Sequence, residues 1–170
     1  MASVRLRRAA AAAAALTATL GLSACGTSFG AQTNQQYQAA VGADVRSGPV
    51  LALNTLFVDN GDGTATLSTT FVNKSGDEQV LRGVMVSVGD DAPVMVEPSS
   101  QVEVPVDGSR HVGKDGEVVV ELDALTGGTY ADTVFTFDSA GEVEIDAPVV
   151  RRTAMYDDVA RTAASGSSAQ

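Results

Sequence analysis

The chain has 170 residues, with 11 lysines and arginines against 21 aspartates and glutamates, a net charge of −10 at pH 7. So acidic a surface repels phosphate backbones, which argues against nucleic acid as a partner and equally against a charge-driven grip on anionic lipid. Tryptophan is absent and aromatic residues make up only 5%, which disfavours ligands stacked on rings, and the length suits one domain with a single modest core.

At the N-terminus, Arg5, Arg7 and Arg8 form a cationic region ahead of an apolar run from Ala9 to Leu22. That run has the length of a signal-peptide core and is too short to span a bilayer comfortably. Leu22-Ser23-Ala24-Cys25 follows, resembles a bacterial lipobox, and contains the only cysteine of the chain. Residues 1–24 are therefore expected to be a lipoprotein signal peptide, cut just before Cys25, whose thiol carries a diacylglyceryl group with palmitate-like chains. Each buried methylene contributes about 0.8 kcal/mol of membrane affinity, and two or more chains give stable anchoring. The expected location is the extracytoplasmic face of the cell membrane, lipid-anchored. The alternatives are a secreted protein with a free thiol and an uncleaved anchor. Loss of the three arginines with the signal leaves 8 basic against 21 acidic residues, a net charge of −13. Once Cys25 is acylated no disulfide is available, so the fold must stand on its core.

Residues 25–48 are rich in Gly, Ala, Ser, Thr, Asn and Gln with little apolar periodicity, and read as a flexible tether. Such a coil has a root-mean-square reach of about 25 to 30 Å. From residue 49 to 150 the period is two. Val50 to Val58 is an apolar strand ending at Asp59-Asn60-Gly61-Asp62-Gly63, whose Asn-Gly and Asp-Gly pairs suit a tight hairpin better than a calcium loop. Next, Ala65, Leu67, Thr69 and Phe71 alternate with Thr66, Ser68 and Thr70, which predicts a strand with one buried side. Further strands are predicted at Val80 to Val88, Val94 to Glu97, Val102 to Val106, Arg110 to Val112, Val118 to Leu122, Thr133 to Phe137 and Val143 to Val150, separated by Gly- and Asp-containing turns. Residues 151–170 read as a disordered tail. Many short strands at regular spacing predict an all-β fold, an antiparallel β-sandwich of cupredoxin-like or Ig-like type.

Two blocks carry a resemblance over roughly Val50 to Val150. The first is Leu67 to Asp77 with Val80-Leu81-Arg82-Gly83-Val84. The second comprises Val102 to Asp107, Gly116 to Leu122 and Phe135 to Ile145 with its Ala140-Gly141-Glu142-Val143 turn. In order and spacing these resemble the PCuAC family of periplasmic copper chaperones, and with the lipobox they are similar to lipoproteins of the LpqE type. The resemblance implies a cupredoxin-like sandwich and a role beside cytochrome oxidase. Family members hold Cu(I) with two histidines and two methionines, soft ligands for a soft ion. Here the positions corresponding to the late His-x-Met are Val118 and Val120, and the early histidine falls near Glu97 or Pro98, so that ligand set does not carry over.

His111 is the only histidine. As a turn-edge side chain it is expected to be solvated, and the sharper alternative is a degenerate copper site of His111, Met85 and Met95. Met155 lies in the tail and is placed worse. No nucleophile or acid near His111 forms a recognisable triad, and the acidic pairs Asp77-Glu78, Asp90-Asp91 and Asp157-Asp158 fall in turns or tail. The sequence thus predicts a non-enzymatic lipoprotein without a cofactor or resident metal. It is expected to act through protein contacts, with a membrane respiratory complex as the partner class that the resemblance implies. A copper chaperone with displaced ligands and a ligand-binding lipoprotein are the alternatives.

Overall fold

A computed structural model describes residues 41–164. The signal peptide, Leu22, Ser23, Ala24, Cys25 and most of the tether lie outside the described residues. The strands are β1 (Ala43–Val45), β2 (Val50–Asp59), β3 (Thr64–Asn73), β4 (Gln79–Ser87), β5 (Val94–Val96), β6 (Glu103–Val104), β7 (Ser109–Val112), β8 (Val119–Glu121), β9 (Tyr130–Phe137) and β10 (Gly141–Arg151). They follow the order β5-β4-β9-β10-β2-β3-β7, with β1 on β2, β6 on β4 and β8 on β3. Every pairing is antiparallel except β10 with β2, which run parallel where Val149–Arg151 meet Phe57–Asp59. The all-β sandwich read from the period-two pattern is the observed fold.

The core lies between two layers, and its aromatic centre joins them. Phe71 on β3 meets Phe135 and Phe137 on β9 edge to face, with ring centroids 5.0 and 5.2 Å apart. Such pairs contribute about 0.5 to 1.5 kcal/mol beyond area burial. Val50, Ala52 and Phe57 of β2 and Leu67 of β3 join the same core as Val84 and Val86 of β4.

Strand β2 contains a phase change that its apolar run conceals. Ala52 is buried, yet so are Thr55 and Phe57, so the inward positions switch from even to odd numbers. The switch is a bulge: the register with β3 shifts between Leu53 and Leu56, and Asn54 takes a left-handed φ of 52°. An extra residue in one strand turns its side chains over, and asparagine tolerates that region better than most non-glycine residues. Past the bulge, Leu56 and Val58 face away from the main core.

Those two side chains are covered by the C-terminal segment. Leu56, Val58 and Val159 form a second apolar cluster, with Val150 and Tyr156 packed against it. A 3-10 turn at Ala154–Tyr156 starts the segment, and Ala160 N and Ala164 N then donate to Gly113 O and Gly116 O at 2.9 and 3.1 Å. The disordered tail expected from residue 151 is therefore corrected as far as 164: these residues form a strap across the outer face of β2 and β3. The strap also corrects the one-sided reading of β3, because Thr66 and Ser68 are buried beneath it, and Thr66 Oγ1 donates to Ala160 O at 2.8 Å.

At the other boundary, the tether read as ending at 48 overlaps β1, whose Ala43 pairs with Thr55 and Val45 with Ala52. Asp44 secures this short strand by accepting from Asn54 N at 2.5 Å and from the Arg46 guanidinium at 2.6 Å.

Candidate functional site

His111 sits on β7, the last strand of the sheet order, opposite Thr70 of β3. Its neighbour Val112 is buried, so alternation turns His111 outward, and its Nδ1 lies 3.2 Å from Thr70 Oγ1. Among the described residues no carboxylate hydrogen-bonds the ring. A hydroxyl–imidazole pair without a group to orient the base is not a nucleophilic triad.

Met85 and Met95 are directly opposite each other on β4 and β5, at the far end of the strand order from β7. Val84 and Val86 point into the core, so Met85 faces out, and Met95 lies 60% exposed over Gly83. Met85 and Met95 share the outer face of β4 and β5, whereas His111 faces outward from β7 in the other layer, which corrects the three-residue copper alternative. The positions Val118 and Val120 are fully buried core residues. A ligand side chain there would have no exit to a surface metal.

His111 instead shares a groove of about 380 Å³ with Met155, Tyr156 and Asp158 of the strap, over a floor of Leu56 and Ser68. This groove is the candidate functional site. Its walls come from elements distant in sequence, and its chemistry is mixed: a floor of one leucine and one serine, one thioether, one imidazole, one phenol and one carboxylate. Met155 had no sequence signal as a wall of this groove. The available clue was indirect, namely Tyr156 and Val159 in a polar tail and a β2 strand apolar on both faces.

Two further features escaped the sequence reading. Glu117 is buried at 1% exposure, accepts from Gly113 N at 2.8 Å through Oε2 and faces Arg110 Nη2 at 3.5 Å through Oε1. It ties the 113–116 turn, against which the strap packs, to β8. Arg152 donates twice to Asn60 Oδ1, at 3.2 and 2.6 Å, and to the carbonyls of Tyr156, Val159 and Ala160 at 2.8, 2.8 and 3.1 Å. Its guanidinium is lowered from its ordinary value by burial and by the neighbouring Arg161 charge.

The Asp59-to-Gly63 loop is a hairpin, as its sequence predicts: Asn60 N donates to Thr64 O, and Gly61 and Gly63 take φ of 79° and 85°. Its carboxylates face backbone amides, with Asp59 accepting from Gly61 and Gly127 and Asp62 from Thr64. The hydrogen bonds from Thr64 hold the Asp62 carboxyl below its usual range.

No family model and no curated relative matches the chain. Among solved structures, the chain is similar to the apo PCuAC domain of PmoF2, at 20% identity and a TM-score of 0.47 over 64% of this chain and 95% of that one. The copper-bound PCuAC domain of PmoF2 gives 23% identity and a TM-score of 0.41 over 65% and 99%. The apo PCuAC domain of PmoF1 gives 18% and 0.43 over 65% and 100%. These three solved structures are PCuAC domains.

Proposed function

We propose that the chain is a lipid-anchored, extracytoplasmic β-sandwich lipoprotein that works through protein contacts rather than catalysis, with a respiratory oxidase complex as partner. The observation that carries the anchoring is Leu22-Ser23-Ala24-Cys25 behind an apolar run with three arginines ahead of it. The groove lined by His111, Met155 and Tyr156 supplies the contact surface. Confinement near a membrane raises the effective concentration toward membrane complexes, so a groove of modest size can be occupied there without high affinity in solution.

Intact mass spectrometry of the membrane-derived protein tests the anchor: Cys25 is the acylated first residue, and Cys25→Ser leaves the signal uncut. A mature species that begins elsewhere, or an unmodified thiol, refutes it. Crosslinking in native membranes tests the partner. Extracytoplasmic oxidase subunits are expected in the wild type and far fewer in Cys25→Ser, whereas neighbours drawn only from transport or envelope proteins overturn the respiratory assignment.

A second reading, a copper chaperone with displaced ligands, draws on one observation: an imidazole and a thioether, His111 and Met155, line the same groove. One imidazole and one thioether are half of the two-histidine, two-methionine set that the resemblance implies. Competition against a Cu(I) chelator is expected to show no stoichiometric sub-micromolar binding. Such binding, lost in His111→Ala, would establish the second reading.

A further inference from the structure

The domain's few cations are not evenly spread. Eight lysines and arginines lie between residues 41 and 164. Arg46, Arg82 and Arg110 are paired with Asp44, Asp138 and Glu117, and Arg152 spends its donors on Asn60 and the strap carbonyls. Of the remaining four, Arg151 and Arg161 line one cleft of about 350 Å³ together with Arg152, Asn60 and Gly61. Both side chains are exposed, and neither makes a hydrogen bond or ion pair among the described residues. Asp59 also lines the cleft, but its two oxygens are occupied by Gly61 N at 2.8 Å and Gly127 N at 2.9 Å. Gly61 has open space where a Cβ would stand, so nothing at that side blocks close approach to the backbone. The two guanidiniums with free donors, beside the committed guanidinium of Arg152, form a surface that suits phosphate oxygens in an otherwise acidic domain.

The position of the cleft says which phosphate. The described domain begins at Val41, which shares the groove with Leu56 and Val159. Leu56 is three residues before Asp59 on β2, and Val159 O accepts from Arg152. The cleft and the entry of the anchor-bearing segment are therefore at the same end of the sandwich. Cys25 is sixteen residues before Val41, at most about 55 Å even if fully extended. We propose that the Arg151–Arg161 cleft binds the phosphate of an anionic phospholipid headgroup and so fixes the orientation of the domain on its membrane. This rests on the lipid anchor at Cys25. Net charge argues against lipid binding as a source of affinity, but the anchor removes that requirement. At physiological salt, carboxylates farther than about 8 Å from the bilayer are screened from it. Two arginines at an anionic surface then bias the orientation about 30-fold.

The test uses the full mature chain without acylation, with Cys25 coupled to a maleimide lipid in nanodiscs, so that it reads the cleft whether or not the cell acylates Cys25. A gadolinium headgroup reports which amides approach the bilayer. In phosphatidylglycerol discs, broadening is expected to be strongest at Gly61, Gly127 and Arg161. It is expected to be lost in phosphatidylcholine discs and in Arg151→Gln/Arg161→Gln, with each single variant losing part. Equal broadening in phosphatidylcholine or in the variants, or broadening centred elsewhere, overturns the proposal. Inorganic phosphate added to disc-free protein distinguishes the sources: shifts at the same amides with no broadening in phosphatidylglycerol discs assign the cleft to free phosphate and overturn the headgroup. An unacylated Cys25 in the cell-derived protein refutes the anchor separately.

Discussion

Arg152→Met removes the guanidinium while keeping most of the side-chain stem, and so isolates what holds the strap to the sandwich. Five hydrogen bonds are lost, three of them to the carbonyls of Tyr156, Val159 and Ala160. A hydrogen bond to a charged group contributes about 1.5 to 3 kcal/mol net, but the five share one side chain and water reaches part of the site. The loss is also capped, because once the strap detaches no further contact of Arg152 counts. Detachment uncovers Leu56 and Val58, now 2% and 0% exposed, and each such side chain contributes about 1.5 to 3 kcal/mol when fully buried. A destabilisation of about 3 kcal/mol follows, which in a domain of this size lowers Tm by about 10 °C. Amide exchange locates it: the Ala160 and Ala164 amides, bonded to Gly113 and Gly116, should lose protection first while those of β9 keep theirs. A loss below about 1 kcal/mol with both strap amides still protected would refute the assignment of Arg152 as the staple.

Thr55 Oγ1 and Thr69 Oγ1 are buried 2.7 Å apart. Thr55→Val or Thr69→Val alone should cost about 1 to 3 kcal/mol and the double replacement much less, a coupling that chemical denaturation of the four proteins measures. Glu117→Ala leaves the Gly113 amide unpartnered in a buried site and is expected to cost about 3 kcal/mol, whereas Glu117→Gln keeps an acceptor and should cost about 1; equal losses would show that the amide bond is not what Glu117 supplies. The Asp138 carboxyl is held below its usual range, first by the Val80 amide and then by Arg82. Because the folded value is depressed, its contribution is present above the ordinary carboxylate range and is lost as pH falls through the folded value. Asp138→Asn should therefore flatten the acid limb of stability against pH and leave the slope above pH 6 unchanged.

The strand pattern was legible because alternation is a local signal: Leu67, Phe71, Val84, Val86, Phe135 and Val143 all face the core that their period-two spacing predicts. What covers the outer face was not. Thr66 and Ser68 look like solvent-facing residues in any window around β3, and only a segment about ninety residues later makes them buried. The bulge at Asn54 hid for a related reason. A run apolar on both sides of a phase change reads as one continuous strand, and nothing in it marks Leu56 and Val58 as facing away from the main core. Met155 illustrates the same limit for the site, because its place in the groove depends on the path of the strap and not on any motif. Met85 and Met95 are outward cross-strand partners, while the histidine that the copper alternative joins to them lies on β7.

The strap also changes what the surface of this fold can do. A bare β2-β3-β7 face would present a flat sheet ending at an exposed edge strand, a template for non-specific pairing. With residues 152–164 laid across it, the strap walls a groove through Met155, Tyr156 and Asp158 and contributes Arg161 to an arginine cleft, and Arg152 ties its carbonyls down at both. If that is the architecture's purpose, the two surfaces should fail together. Arg152→Met should abolish crosslinks made through the groove and the headgroup-dependent broadening at Gly61, while Arg151→Gln/Arg161→Gln removes only the broadening. A variant set in which Arg152→Met spares either surface would show that the strap is held by its apolar contacts alone, and that groove and cleft are independent.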